Sequence, residues 1–266
     1  YESQLEEAYA LLEELDVRAV KTGYVSFGQS IDRTTEDGSR VEEWQHGQFM
    51  VRHYQRVTEL AAKHRVMLNV HEPVKGTGLW RTWPNLTTRE GAKGNEYNAW
   101  GGIDGRNSPE HLTVLPFTRG LAGPFDYTPG IFDLTFEGLD TGESRVTHTL
   151  AKELAAYLTI YSPLHMAADL PENYEARPEL FEFIKAVPTD WEQSHVLSAE
   201  IGEHFAIARQ ERGGRDWYLG AVTDAEPRKL ELPLNFLEPD LVYELTLYRD
   251  GEGAHWETAP YAIEIE

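Results

Sequence analysis

The sequence predicts an α/β fold, either a parallel sheet or a (β/α)8 barrel, followed by a small antiparallel β-domain, and three observations carry this reading. Helical and apolar strand patterns alternate through the first half of the chain. The strand RVMLNVHE (65–72) is nearly all apolar, as a strand covered on both faces by helices has to be. After Trp191 the texture changes to short β-rich runs, HFAIARQ, DWYLGAVT, KLELPLN, VYELTLYRD and YAIEIE, separated by Gly, Asp and Pro turns.

Residues 3–15 carry Leu5, Ala8, Leu11, Leu12 and Leu15 at three- and four-residue spacing, which predicts an amphipathic helix. VRAVKTGYV (17–25) predicts a strand, and the polar SFGQSIDRTTEDGS after it predicts a loop. A second helix is predicted over about 42–64, with Met50, Tyr54, Val57, Leu60 and Ala61 on one face and Arg52, Arg56 and Lys63 on the other. Beyond a polar stretch at 73–111 come a short helical segment (about 110–121), the turn-rich GPFDYTPG and a long helix over about 144–161 that Pro163 closes. ENYEARPELFEFIKAVPTDW reads as a helical connector.

With 45 acidic side chains against 24 basic ones, the net charge of −21 disfavours nucleic acid and anionic membrane surfaces as partners. No run approaches the ~20 apolar residues of a membrane helix. The absence of cysteine excludes disulfides, thiolate metal sites and a Cys nucleophile. The chain opens on Tyr1 and a charged amphipathic stretch without the apolar core of a secretion signal, so its numbering is expected to begin inside a longer protein.

In a β/α barrel the active site lies at the C-terminal ends of the strands. Here those ends are Lys21, Thr22 and Gly23 in the first strand, and His71 and Glu72 in the second. Lys21, in an apolar strand, must pair or face a cavity, because an unpartnered buried ammonium is costly. Glu72 directly follows an apolar strand. It suits an acid/base group whose pKa desolvation raises, or equally a strand-end salt bridge with Lys75 or Arg81. Trp80, Trp83 and Trp100 argue that the long segment 70–100 is ordered by burial. Its Glu90 and Glu96 read as solvated loop charges or, with Glu72, as a carboxylate cluster around a hard cation, although no EF-hand spacing is present. Asp126 in GPFDYTPG reads as a turn cap or a substrate contact. Neither a G-x-S-x-G elbow, a P-loop nor an H-E-x-x-H pair occurs. Paired carboxylates among aromatic residues on a barrel face suit glycoside hydrolysis.

The strings VKTGYV (20–25), HEPVKGTGLWRTWPN (71–85), TREGAKGNEYNAW (88–100) and LPFTRGLAGPFDYTPGIF (115–132) resemble glycoside hydrolase family 97, and the resemblance extends over essentially the whole chain. It implies an N-terminal β-sandwich, a central (β/α)8 barrel and a C-terminal β-domain. On that plan residues 1–190 form the C-terminal part of a TIM-type barrel and residues 191–266 a β-sandwich-like domain, with the N-terminal domain of the same chain outside this sequence. The family has an inverting α-glucosidase-type branch and a retaining α-galactosidase-type branch. The latter carries an Asp nucleophile at the end of the VKTGYV strand, where this sequence has Gly23.

By resemblance, then, the protein is an inverting, Ca²⁺-dependent glycosidase that cleaves α-glucosidic bonds of oligosaccharides. The alternatives are a retaining α-galactosidase and a non-catalytic carbohydrate-binding module. Glu96 matches the general acid, and Glu72 matches a glutamate that helps activate water. Glu72, Glu90 and Glu96 match the metal-binding set, and Lys21 and His71 match sugar contacts. A further base glutamate belongs upstream of Tyr1, so residues 1–266 by themselves are expected to be inactive. Periplasmic or secreted localisation is implied in the same way.

Overall fold

The computed structural model describes residues 2–23, 30–100, 102–139 and 142–266. They divide into two compact units: the residues up to Ala92 with Ala122–Asp126, and Lys93–Leu121 with Tyr127–Glu266.

The first unit opens with helix α1 (Leu5–Glu14), which buries Leu5 and Tyr9, and continues into strand β1 (Ala19–Thr22). Strands β2 (Ser30–Thr34) and β3 (Arg40–Trp44) pair antiparallel as a hairpin, tied by an ion pair between Arg33 and Glu43 at 2.6 Å. Helix α2 (Gln48–Lys63) buries Met50, Val57 and Ala61 and leads to strand β4 (Met67–Val70), followed by strand β5 (Leu86–Arg89). β1, β4 and β5 form a parallel sheet in that order, extended by a parallel bridge from Arg89 to Phe125. Its core joins Leu5, Tyr9, Val57, Ala61, Val66, Leu68, Val70 and Leu86.

Three expectations change here. The stretch read as a loop after β1 contains β2, and the second helix begins at Gln48 rather than at 42, because the end of β3 and a turn occupy the intervening residues. Both strands alternate exposed and half-buried positions with few apolar residues, so their period was hidden by polarity. β5, within the polar stretch, is only LTTR, and two of its four residues are threonines. Residues 24–29, which include the end of VKTGYV, lie outside the described residues.

In the second unit, α3 (Gly102–Gly105) and α4 (His111–Val114) are single turns. Helix α5 (Leu150–Thr159) starts at the cap Thr149, whose side chain accepts from the Lys152 amide. The expected first turn of this helix, 144–149, is not helical. Thr147 and His148 instead use their side chains to bind Asn107 O and Glu153. α6 (Pro171–Glu175) and α7 (Pro178–Ala186) each begin on a proline, where the missing N–H is harmless.

Strands β6 (Trp191–Glu200), β7 (His204–Glu211) and β8 (Trp217–Thr223) form an antiparallel sheet in that order. β9 (Tyr248–Asp250) and β10 (Ile263–Ile265) form a separate antiparallel pair. The expected strand KLELPLN and the first part of VYELTLYRD are not paired. Pro233 lacks a ladder donor, and Leu234, Val242 and Leu245 are exposed. α5 approaches β8 at Gly220, where an added Cβ would lie 2.6 Å from that of Leu158.

The fold is therefore mixed α/β, with a parallel sheet in the first unit and antiparallel sheets in the C-terminal part. Among the described residues the parallel sheet stays open, without the closure that defines a barrel. Among the described residues no helix is long and apolar enough to cross a membrane.

Candidate active site

The first unit gathers its polar residues at one end of the parallel sheet. Beyond the strands proper, the ladder runs on by one residue: the His71 amide bonds Thr22 O (2.7 Å), the Glu90 amide bonds Val70 O (2.9 Å) and the Asp126 amide bonds Arg89 O (3.0 Å). Gly23, His71–Glu72, Glu90 and Asp126 are consequently the first residues after neighbouring parallel segments, the position from which α/β sheets present chemistry.

His71, Glu90 and Asp126 are buried. His71 Nε2 lies 2.7 Å from Asp126 Oδ2, and the Asn69 amide donates to the same oxygen at 2.5 Å. Because a carboxylate only accepts, Nε2 carries the hydrogen and Nδ1 faces the other way, 3.4 Å from Glu90 Oε2. The imidazole is thus held between two carboxylates.

Glu72 adopts φ +42°, a left-handed conformation uncommon outside glycine. Two donors secure it: Gln45 Nε2 and the Tyr54 hydroxyl each reach its carbonyl at 2.8 Å, and its amide points at Glu90 Oε2 (3.4 Å). These contacts hold the strained backbone in place. Lys21 is half-buried on β1, in register with Asn69.

Gly23, at φ +123°, packs so closely that an added Cβ would lie 2.1 Å from His71 O. Arg89 fixes the loop after Glu72. Its guanidinium donates to Val74 O (3.3 Å) and Ala122 O (3.2 Å) and lies 5.1 Å from the Trp80 ring centre, and burial pushes its pKa down. Within this unit the structure brings His71, Glu72 and Glu90 together. Both carboxylates are of the hard oxygen type that Ca²⁺ takes, and the contact seen between the two residues is from the Glu72 amide to the Glu90 carboxylate.

Glu96 belongs to the second unit, at the start of a one-turn 3-10 helix, Asn95–Ala99. The Asn95 amide donates to Tyr127 O (2.6 Å) and the Glu96 amide to the Thr128 hydroxyl (3.1 Å). Gly94 permits this approach, since a Cβ on it would stand 2.8 Å from Thr128 Oγ1. Thr128 itself has φ +55°, rare for a β-branched residue. Trp100, expected to be buried, is 53% exposed.

Asp126 is the buried partner of His71 and Asn69 in this fold. Sequence reasoning missed Asn69, Gln45, Tyr54 and Thr128. Only Asn69 left a signal, as an amide inside the apolar run MLNV.

Comparison with known proteins bears on this geometry. Residues 1–92 match the family model Glycoside hydrolase 97, and residues 190–266 match Glycosyl-hydrolase 97 C-terminal, oligomerisation; together they take in nearly two thirds of the chain. A retaining alpha-galactosidase of Bacteroides thetaiotaomicron is 35% identical over 79% of this chain and 31% of its own length. A probable retaining alpha-galactosidase of Streptomyces bingchenggensis is 30% identical over 74% of the chain and 28% of its own length. A family 97 enzyme from Pseudoalteromonas sp. strain K8, solved with panose and also with acarbose, is 50% identical with a TM-score of 0.93, over 100% of this chain and 41% of that one. A beta-arabinopyranosidase shares the fold, at 21% identity and a TM-score of 0.74. The chain thus spans about a third of the curated relatives' length.

Proposed function

This chain belongs to glycoside hydrolase family 97, and from that premise we propose that it supplies the later part of a (β/α)8 catalytic barrel that cleaves α-glucosidic bonds of oligosaccharides with inversion. The observation that carries the choice of branch is Gly23. The retaining branch places an Asp nucleophile at the corresponding strand end, and here a Cβ would meet the His71 carbonyl oxygen at 2.1 Å. A site without a nucleophile side chain leaves room for the water that inversion requires between carboxylates roughly 6.5–9.5 Å apart. The ligands of the Pseudoalteromonas enzyme point the same way, panose being a trisaccharide of α-linked glucose.

In this reading Glu96 protonates the glycosidic oxygen as the bond opens through an oxocarbenium-like state. Glu72, with a glutamate upstream of this chain, takes the proton of the attacking water. Lys21 and His71 hold sugar hydroxyls, with the His71 ring fixed by Asp126. Ca²⁺, held by Glu72, Glu90 and Glu96, would supply a positive charge among these carboxylates and a ligand position for a hydroxyl. The periplasm or the medium is the proposed location, tested by cell fractionation.

A second reading, retaining α-galactosidase, draws support from the names of the two curated relatives. Proton NMR of the full-length protein acting on aryl α-glucoside and aryl α-galactoside separates them. β-Glucose appearing first, and lost on calcium chelation, supports the proposal. α-Galactose appearing first overturns it in favour of the second reading.

A further inference from the structure

We propose that Glu153 is a positioning residue for the general acid: through Asn95 and the 127–131 segment it fixes the one-turn helix that carries Glu96, an inference that rests on the role proposed for Glu96 above.

Glu153 lies on α5 with no solvent exposure. A carboxylate so placed is tolerated only if its lone pairs are filled. Here the donors come from three separate segments: the Asn95 side-chain amide, at 3.1 and 2.9 Å from its two oxygens, the Gly130 amide at 2.5 Å and the Ile131 amide at 3.2 Å, and the His148 ring.

Two of these donor sets hold the mount of Glu96. Asn95 precedes it directly and has every polar group engaged. Its amide goes to Tyr127 O, its Oδ1 accepts from Asn98 Nδ2 (2.8 Å) and the Tyr127 hydroxyl (3.4 Å), and its Nδ2 goes to Glu153. Gly130 and Ile131 end the short segment whose Thr128 hydroxyl receives the Glu96 amide. Burial and the Glu153 charge both push the Tyr127 pKa up, so its hydroxyl remains a donor to Asn95.

One carboxylate therefore ties both supports of the acid to the longest helix of the second unit. A purely structural carboxylate would need its donors anywhere in the core. Three of the four donor groups, those of Asn95, Gly130 and Ile131, lie on the two segments that hold Glu96, and a displacement of about 1 Å at a catalytic group can cost on the order of 100-fold in rate. The inference applies to inverting and retaining chemistry alike, since both need the acid.

The test uses the full-length protein and two substrates, 2,4-dinitrophenyl α-glucoside, whose leaving group departs without a proton, and panose, whose leaving sugar needs one. Glu96→Gln serves as the reference. Glu153→Gln is expected to lower kcat/KM on panose by roughly 100-fold and on the aryl glucoside by less than about 5-fold, copying the selectivity of Glu96→Gln. If Glu153→Gln does not fold, Asn95→Ala, which breaks the same link from the other side, is expected to give the same selective loss. Equal losses on both substrates, or none, beside a selective Glu96→Gln overturn the positioning role. A Glu96→Gln enzyme without selectivity overturns the acid assignment, and the inference with it.

Discussion

Asp126 Oδ2 sits 2.7 Å from His71 Nε2, with both residues almost sealed from solvent at 0% and 1% exposure. The oxygen also receives the Asn69 amide, so one carboxylate sets the orientation of two side chains beneath the sheet end. Removing it strands two buried donors. Asp126→Ala should therefore destabilise the protein by about 3 kcal/mol, the range for breaking a buried pair from one side. Asp126→Asn, which keeps one acceptor, should lose about half as much. Urea unfolding measures both, and a loss below about 1 kcal/mol for the alanine variant would show that the pair does not hold this region.

Gly23 gives a second prediction, on stability rather than mechanism. Its φ of +123° is open to glycine alone, and a Cβ would press on the His71 carbonyl. Gly23→Ala and Gly23→Asp should each lose about 3 kcal/mol or more, combining left-handed strain with displacement of backbone. For a protein of this size each kcal/mol lowers Tm by about 2–4 °C. Gly23→Asp should also fail to show nucleophile-dependent retention. An unchanged melting curve would mean that the backbone here moves aside readily, and the argument for inversion would lose its support.

Much of this was legible in the sequence, for identifiable reasons. His71 and Glu72 were found because an apolar strand ends on them, and β4 pairs parallel with β1 as its covered pattern required. β2, β3 and β5 were missed because short strands with polar faces carry no apolar period. The mount of Glu96 was invisible for a different reason. Asn95, Thr128 and Glu153 are brought together over separations of up to 58 residues, and none of them stands in a pattern that announces its partner. Side chains that act by holding others are chosen by tertiary geometry, which leaves no local trace.

Lys152, on α5, supplies a pH prediction. Its ammonium donates to Pro109 O at 2.6 Å and to Thr223 O, and burial lowers its pKa to about 8 from 10.5, although Asp224, Asp250 and Glu110 oppose the shift. The folded state therefore releases this proton at lower pH than the unfolded chain does. Between about pH 8 and 10.5 the unfolded state binds more protons, so the contribution of Lys152 to stability rises with pH across that window. Buried Tyr127 and Tyr174 have raised pKa values and act in the opposite sense above pH 10. The quantity to measure is thus the difference from Lys152→Met, which cancels the tyrosines. Wild type should gain about 2–3 kcal/mol on the variant from pH 8 to pH 10.5, and a flat difference would show that the ammonium is solvated.

Glu72 yields a prediction whose sign runs against the usual one for a buried site. The residue is held at φ +42° by Gln45 and Tyr54, and a side chain in that region costs about 1–2 kcal/mol that glycine does not incur. Glu72→Gly keeps the backbone carbonyl that both donors use, and it removes a carboxylate whose neighbour Glu90 is also acidic. The variant should therefore melt as high as wild type or about 2–4 °C higher in calcium-free buffer, while hydrolysis of panose by the full-length protein is lost. Tyr54→Phe should do the reverse: it keeps the carboxylate, removes one of the two restraints and lowers Tm by about 2–4 °C. Were Glu72→Gly strongly destabilised, the left-handed turn would owe its stability to the Glu72 side chain, and the strain would not be held for catalysis.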